Sequence, residues 1–357
     1  MIKKPIRINK KFPFAWLAPT AGFGAFINKL INTLRRHWQA RAAVGFGYHH
    51  AACYKESVIA PEERAEKSEP ATARVFVAMG FAVFALASSS ILIIKLEQVP
   101  SLVIAFYRMA LATAFLTPAA IAFKRRELSA LTRRDFALLV LGGFCLAIHF
   151  GAWITSLKYI PIATSVVLVN SHPLFVVIAS YFFLGEKPAA PSLAGTALGL
   201  IGMVVISRDA LSDVQLAIKG DGLALVGAIA VVGYFIVGRK ARARISLLGY
   251  VTPLYAVCSV FLLMMALATG SPLYPYTATE WAYFAALAIV PTILGHTVFN
   301  WALKHVRPSA ISLAFLCEPV VASLLAFFIF GQRPPAATFI GGALILAGIY
   351  LTTSKIG

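Results

Sequence analysis

Acidic residues are scarce in this sequence. Asp and Glu number 14 among 357 residues, and all charged residues together make up 13%. A water-soluble globule of this length needs much more polar surface, whereas 59% of these residues are hydrophobic and the mean hydropathy is +0.80. The composition excludes a soluble protein and places the chain in a membrane. Cysteine is sparse too: Cys53, Cys145, Cys258 and Cys317 stand alone, three of them within apolar runs. That spacing builds neither a disulfide framework nor a thiolate metal site. H-E-x-x-H, G-x-S-x-G, a paired-Asp motif and a Walker A loop are all missing. Hydrolysis of ATP and the commoner metal- or nucleophile-dependent chemistries therefore have no foothold, and no metal or cofactor is called for.

What the chain does have is long hydrophobic runs. Ten apolar segments lie at about 74–94, 101–123, 136–157, 161–184, 190–207, 220–238, 247–268, 280–303, 308–331 and 334–353. Each is long enough to cross the hydrocarbon core at ~1.5 Å per residue. They are continuously apolar rather than alternating, so they predict helices and not barrel strands. The 32 Lys and Arg give a net charge of +18, a balance that also suits nucleic acid. Here the cations cluster between apolar runs, so the charge is read as topology, with no nucleic-acid partner.

With residue 74 on the cytoplasmic side, the inner loops and tail hold Lys124, Arg125, Arg126, Arg133, Arg134, Lys187, Arg239, Lys240, Arg242, Arg244, Lys304, Arg307 and Lys355. The outer loops hold Lys95, Lys158, Arg208, Lys219 and Arg333. This bias predicts cytoplasmic N- and C-termini, in a bacterial inner membrane. Residues 1–73 differ from the rest: nine Lys or Arg and no acid up to residue 50, then "PEERAEKSEP". They read as a disordered basic tail; an amphipathic stretch around Phe23 to Phe46 on anionic lipid, or a transit peptide, are the alternatives.

A repeat organises the spans. Residues 172–202 lie on 318–348 at a constant offset of 146, with ten of the 30 positions from 173 identical. The matches include Pro173 with Pro319, Gly185 with Gly331, Pro188 with Pro334, Gly195 with Gly341 and Gly202 with Gly348. Apolar bias alone does not align five Gly and Pro positions, so the chain is a duplication. Repeats of 74–207 and 220–357 hold five spans each. An odd number forces the second to enter from the opposite side, which is the inverted arrangement of secondary transporters.

The segments "FGAWITSLKYIPIATSVVLVNSHPLFVVIASYFFLGEKPAAPSLAGTALGLIGMVVI" and "GHTVFNWALKHVRPSAISLAFLCEPVVASLLAFFIFGQRPPAATFIGGALILAGIYL" resemble the two EamA-type repeats of the drug/metabolite transporter superfamily. The resemblance covers residues 74 to about 354. It implies an all-α membrane protein of ten transmembrane helices, arranged as two inverted five-helix repeats around a central cavity. It also implies export or exchange of small metabolites such as amino acids, without ATP hydrolysis. The Gly-Glu that closes the fourth span is kept at Gly185 and Glu186, whereas the ninth ends Gly331-Gln332; the ninth span has the typical Glu-Pro, whereas the fourth has His172 before Pro173.

Ionisable residues inside spans are functional candidates by default. Glu318 and its repeat mate His172 fall halfway along the ninth and fourth spans, at the expected depth of a substrate site. An ionised carboxylate there costs roughly 2.5–3.5 kcal/mol on the insertion scale, so Glu318 needs a wet cavity, a partner or a proton. Pro319 frees a carbonyl near Ala314 or Phe315. A kink-stabilising hydrogen bond for Glu318, and a single helix carbonyl for His172, are the packing alternatives. Arg108 lies about two turns inside the second span and must either snorkel or hold an anion such as a substrate carboxylate, with Tyr107 as an aromatic wall. His149 with Trp153, and His296 with Asn300, occupy nearly equivalent places in the third and eighth spans, where pore lining competes with interhelical hydrogen bonding. Gly195 and Gly199 read as close helix packing.

The function expected is a secondary transporter, an exporter or exchanger of a small polar metabolite, working by alternating access and with protons a candidate coupling ion. A phosphate-containing substrate is the alternative within transport, and a membrane-embedded lipid-modifying enzyme the alternative from another class. The partners expected are a small-molecule substrate and the lipid bilayer.

Overall fold

The structure is a computed structural model that describes residues 69–357, apart from 161, 186, 208–213, 331–335 and 354–357. The readings of the basic tail up to residue 68 lie outside the described residues. The first repeat comprises α1 (Glu69–Ile94), α2 (Ser101–Ser129), α3 (Arg133–Ser156), α4 (Ile162–Val169), α5 (His172–Leu184) and α6 (Ala190–Ser207). The second comprises α7 (Val214–Arg242), α8 (Leu247–Ala268), α9 (Ala278–Leu287), a π-helical segment (Ala288–His296), α10 (Thr297–Ala302), α11 (Pro308–Phe315), α12 (Glu318–Phe330) and α13 (Ala336–Thr353). Among the described residues six helices are long and apolar enough to cross a membrane, and shorter apolar helices fill the remaining expected spans. Large apolar side chains such as Phe123, Phe182 and Phe328 face outward, while Arg108, His172, Asn300 and Glu318 are buried. That distribution is the reverse of a soluble protein's and is the one lipid favours.

Local signals start these helices where their caps lie. Thr132 and Asp135 form a capping box at α3, and Thr277 and Glu280 form its counterpart at α9, so the third span of each repeat opens on the same reciprocal bonds. The fourth span's lower helix ends at Gly185, whose φ of 70° is the left-handed conformation that glycine adopts without a Cβ penalty.

The repeat packing obeys a two-fold relation. Spans 3 and 6 pack together as 8 and 1 do; spans 4 and 6 pair as 9 and 1 do; spans 2 and 7, and 5 and 10, pack on their own mates. A Cβ on Gly202 would lie 2.5 Å from the Gly341 carbonyl oxygen, and one on Gly348 would collide with the Gly195 carbonyl oxygen. These reciprocal contacts join early α6 to late α13 and late α6 to early α13. The two mates therefore run antiparallel, as inverted repeats require. Gly199, for its part, packs on Leu316.

Alternate loops gather at opposite ends. At one end Arg239 donates to the Leu303 carbonyl at 2.6 Å, Arg242 to the Asn300 carbonyl at 3.0 Å, and Ser246 N–H to the Glu127 carboxylate at 2.6 Å. Asp135 lies 3.9 Å from Arg244. In this basic setting, burial foremost and then Lys304, Arg242 and Arg239 hold the His305 imidazole below its usual range. At the other end Lys158 donates to the Glu97 carbonyl, Lys219 to the Tyr159 hydroxyl at 2.9 Å, and Tyr107 to the Leu273 carbonyl at 2.7 Å.

Two of the expected uninterrupted spans are broken. Residues 161–184 and 308–331 each divide into a helix of 8 residues and one of 13. The eighth span is α-helical only at its ends, with nine π-helical residues between them.

Candidate functional site

Proline makes both breaks. Pro173 and Pro319 carry no N–H, so the carbonyls four residues earlier, on Val169 and Phe315, lose their helical donors. The chain tightens before each one: Ser171 N–H bonds to Leu168 at 3.2 Å and Cys317 N–H to Ala314 at 3.1 Å, both over three residues instead of four. Proline then sits in the first turn of the following helix, where no intrahelical partner for its N–H is needed. The ends of α4 and α11 and the starts of α5 and α12 thus share one depth.

Glu318, Asn170 and His172 converge there. The Asn170 amide donates to a Glu318 carboxylate oxygen at 3.3 Å. His172 hydrogen-bonds through Nδ1 to the Ser312 hydroxyl, and its ring lies edge-on to Phe235 and Phe315. The bonding partner of His172 is therefore a hydroxyl on α11, not the helix carbonyl of the packing alternative.

Arg108 is wholly buried, which overturns the snorkelling alternative. Its Nε donates to the Thr292 hydroxyl at 2.7 Å, its Nη1 to the Ser89 hydroxyl at 3.0 Å, and its carbon centre lies 4.2 Å from the centroid of the Phe150 ring. Nη2 has no hydrogen-bond partner. The π-helical segment explains Thr292. Pro291 cannot donate to Leu287, and the Thr292 hydroxyl does so instead at 2.8 Å, turning its lone pairs to Arg108. The segment also explains the uneven spacing of the histidines. The capping boxes stand 145 residues apart but His149 and His296 stand 147 apart, and the wider π turns take up the two extra residues.

One chamber collects these groups. Ser89, Arg108, His149, Trp153, Asn170, His172, His296 and Glu318 line it together with Leu86, Val169 and Phe315. His149 donates through Nδ1 to the Gly227 carbonyl at 2.9 Å and stacks near Trp153, so it bonds between helices and lines the chamber at once. The open space is about 20 Å³, room for about one water. Glu318 and Arg108 share the walls with no ion pair within 4.0 Å between them. Among the described residues no group of three or more His, Cys, Asp or Glu could hold a metal.

Two expected site residues lie elsewhere. Tyr107 packs among Tyr276, Trp281 and Phe284, with its hydroxyl on the Leu273 carbonyl, so it is no wall of the Arg108 site. Asn300 sits behind the chamber, its amide donating to the Tyr234 hydroxyl and to the His296 carbonyl. Ser89, Asn170 and Thr292 were not anticipated. The signal for Asn170 was its place two residues before His172; Ser89 and Thr292 were uncharged polar residues in apolar runs, of which there are many.

The EamA-like transporter family model matches residues 74–208 and again 218–354. The chain belongs to the EamA-like transporter family. It is similar to a probable terminal-alkyne amino-acid exporter of Streptantibioticus cattleyicolor, 27% identical over 55% of this chain and 66% of that protein. It is also similar to an S-adenosylmethionine uptake transporter of Rickettsia conorii, 28% identical over 68% of this chain and 79% of the relative. A crystal structure of another protein superposes with a TM-score of 0.66 at 22% identity, covering 77% of this chain and 95% of that one; at this identity it supports the fold alone. This family member is a multi-pass membrane transporter of small metabolites, in two EamA repeats and ten spans.

Proposed function

We infer that the chain moves a small zwitterionic metabolite, of the amino-acid class, by alternating access around the Arg108–Glu318 chamber. The carrying observation is the unpartnered Arg108 Nη2 beside a buried Glu318 with which it makes no ion pair. An unpartnered guanidinium N–H on a residue of the chamber wall suits a substrate carboxylate. A carboxylate across the same space suits an ammonium group or, when the substrate is absent, a proton. Space for one water admits no metabolite, so binding requires one repeat to rock away from the other, and the antiparallel Gly-lined contact of α6 and α13 offers the pivot. The amino-acid exporter among the relatives supports this substrate class and outward movement. We assign both termini, with the basic loops, to the cytoplasmic side of a bacterial inner membrane.

A phosphate-containing substrate finds less support, because among the described residues Arg108 is the one Lys or Arg lining the chamber. Lys158 and Lys304 lie at span ends. A lipid-modifying enzyme lacks a cluster of acids or histidines able to hold a metal among the described residues.

The test is flux of labelled amino acids in vesicles reconstituted with the full chain. Glu318→Gln should abolish flux driven by a pH gradient, while thermal unfolding of the purified protein stays close to wild type. Undiminished pH-driven flux in this variant would reduce Glu318 to a packing residue.

A further inference from the structure

A second polar pocket lies away from the chamber, at the end of the molecule that carries the basic loops. It is lined by Ser180, Lys187, Ser192, Arg307 and Ser309 with the apolar Val177 and the Pro188-Ala189 turn. Lys187 and Ser192 flank the start of α6, and Arg307 and Ser309 flank the start of α11. Two helix N-termini thus bring partial positive charge to one cleft; Pro191 and Pro308 have no N–H and the Ser192 and Ala310 N–H groups are bonded to Ala189 and Arg307, which leaves those of Ala190 and Ser309 for a ligand. The Ser180 hydroxyl lines the same cleft, is only 4% exposed and has no hydrogen-bond partner. Lys187 and Arg307 are exposed and make no ion pair with a described residue; Glu186, next in sequence, lies outside the described residues.

The repeat supplies an internal control. At the offset of 146, Ser180 corresponds to Ala326, Arg307 to Pro161 and Ser309 to Ala163. Lys187 and Ser192, by contrast, keep their character in Arg333 and Thr338, so Ser180, Arg307 and Ser309 are the polar groups that the shared fold does not demand. Tyr181, Phe182, Phe183 and Leu193, on the two helices that frame the cleft, are exposed apolar side chains. A ligand here meets cations and hydroxyls at its head, with apolar surface close by.

We propose that this cleft binds the phosphate of an anionic phospholipid in the leaflet on the basic-loop face. The phosphate oxygens accept from Lys187, Arg307, the Ser180 hydroxyl and the helix N-termini, and the acyl chains lie along the exposed aromatic side chains. Free inorganic phosphate shares the head chemistry but not the apolar surface. The proposal does not depend on the transport reading.

The purified full chain in neutral detergent is titrated with phosphatidylglycerol, phosphatidylcholine and inorganic phosphate, and retained ligand is counted by native mass spectrometry beside thermal unfolding. Phosphatidylglycerol should be retained and should raise the unfolding temperature. Lys187→Gln and Arg307→Gln should each weaken its retention by about fivefold, Ser180→Ala should weaken it less, and Lys187→Arg should preserve it. Equal protection by inorganic phosphate, lost in the same variants, would uphold the site and assign it to free phosphate. Retention of phosphatidylglycerol unchanged in both Gln variants, or matched by phosphatidylcholine, would overturn the proposal.

Discussion

The fourth and ninth spans have one backbone and two chemistries. Both divide into 8 and 13 residues, both tighten over three residues before a proline, and the Ser171–Leu168 bond recurs as Cys317–Ala314 at an offset of 146. Yet the first presents Asn170, Ser171 and His172 where the second presents Leu316, Cys317 and Glu318. Proline and its missing donor set the bend in either copy, and the residues beside it set what the bend offers the chamber. A duplicated scaffold can thus hold its geometry while its two halves divide the polar work between them.

The largest test of this likeness is at the glycines that clamp the repeats. Gly202→Val and Gly348→Val each force a side chain into backbone of the opposite mate, and overpacking of this kind costs about 1–3 kcal/mol. Thermal unfolding should fall by similar amounts for both variants; a large effect at one position only would break the two-fold relation. Next, Pro173→Ala and Pro319→Ala restore the missing N–H and should straighten their spans. Vesicle flux should drop several-fold for Pro319→Ala, which displaces Glu318, and less for Pro173→Ala. The smallest effect belongs to Asn170→Leu, which gives the fourth span the residue of its mate and removes the amide bonded to Glu318. The apparent KM of vesicle flux should rise by about fivefold with the protein still folded. A null result there would separate Asn170 from the site.

Much of the fold was legible from residue order. The expected spans lie within about six residues of the helices found, the fourth and ninth each being two helices, because hydropathy reports the solvent a segment must tolerate and needs no knowledge of its neighbours. Glu318, Arg108, His172, His149, Trp153 and His296 were marked because charge or imidazole inside an apolar run is costly wherever it points. The direction of each side chain was not available in the same way. Tyr107 and Arg108 are adjacent in α2, and a turn of about 100° per residue sends one to the aromatic cluster of Tyr276, Trp281 and Phe284 and the other into the chamber. Ser89 and Thr292 escaped notice since a hydroxyl in a span usually bonds its own helix, and only the buried guanidinium of Arg108 distinguishes these two.

Hydropathy, an odd span count and an offset of 146 fall within one chain read in order, so membrane residence, duplication and inversion needed nothing more. Which polar groups share a wall, how little room they enclose and which guanidinium nitrogen is left over depend on helices far apart in sequence closing on one another. Those are properties of packing, where an extra π turn in the eighth span or a 2.5 Å approach between glycines decides what meets, and no local pattern carries that information.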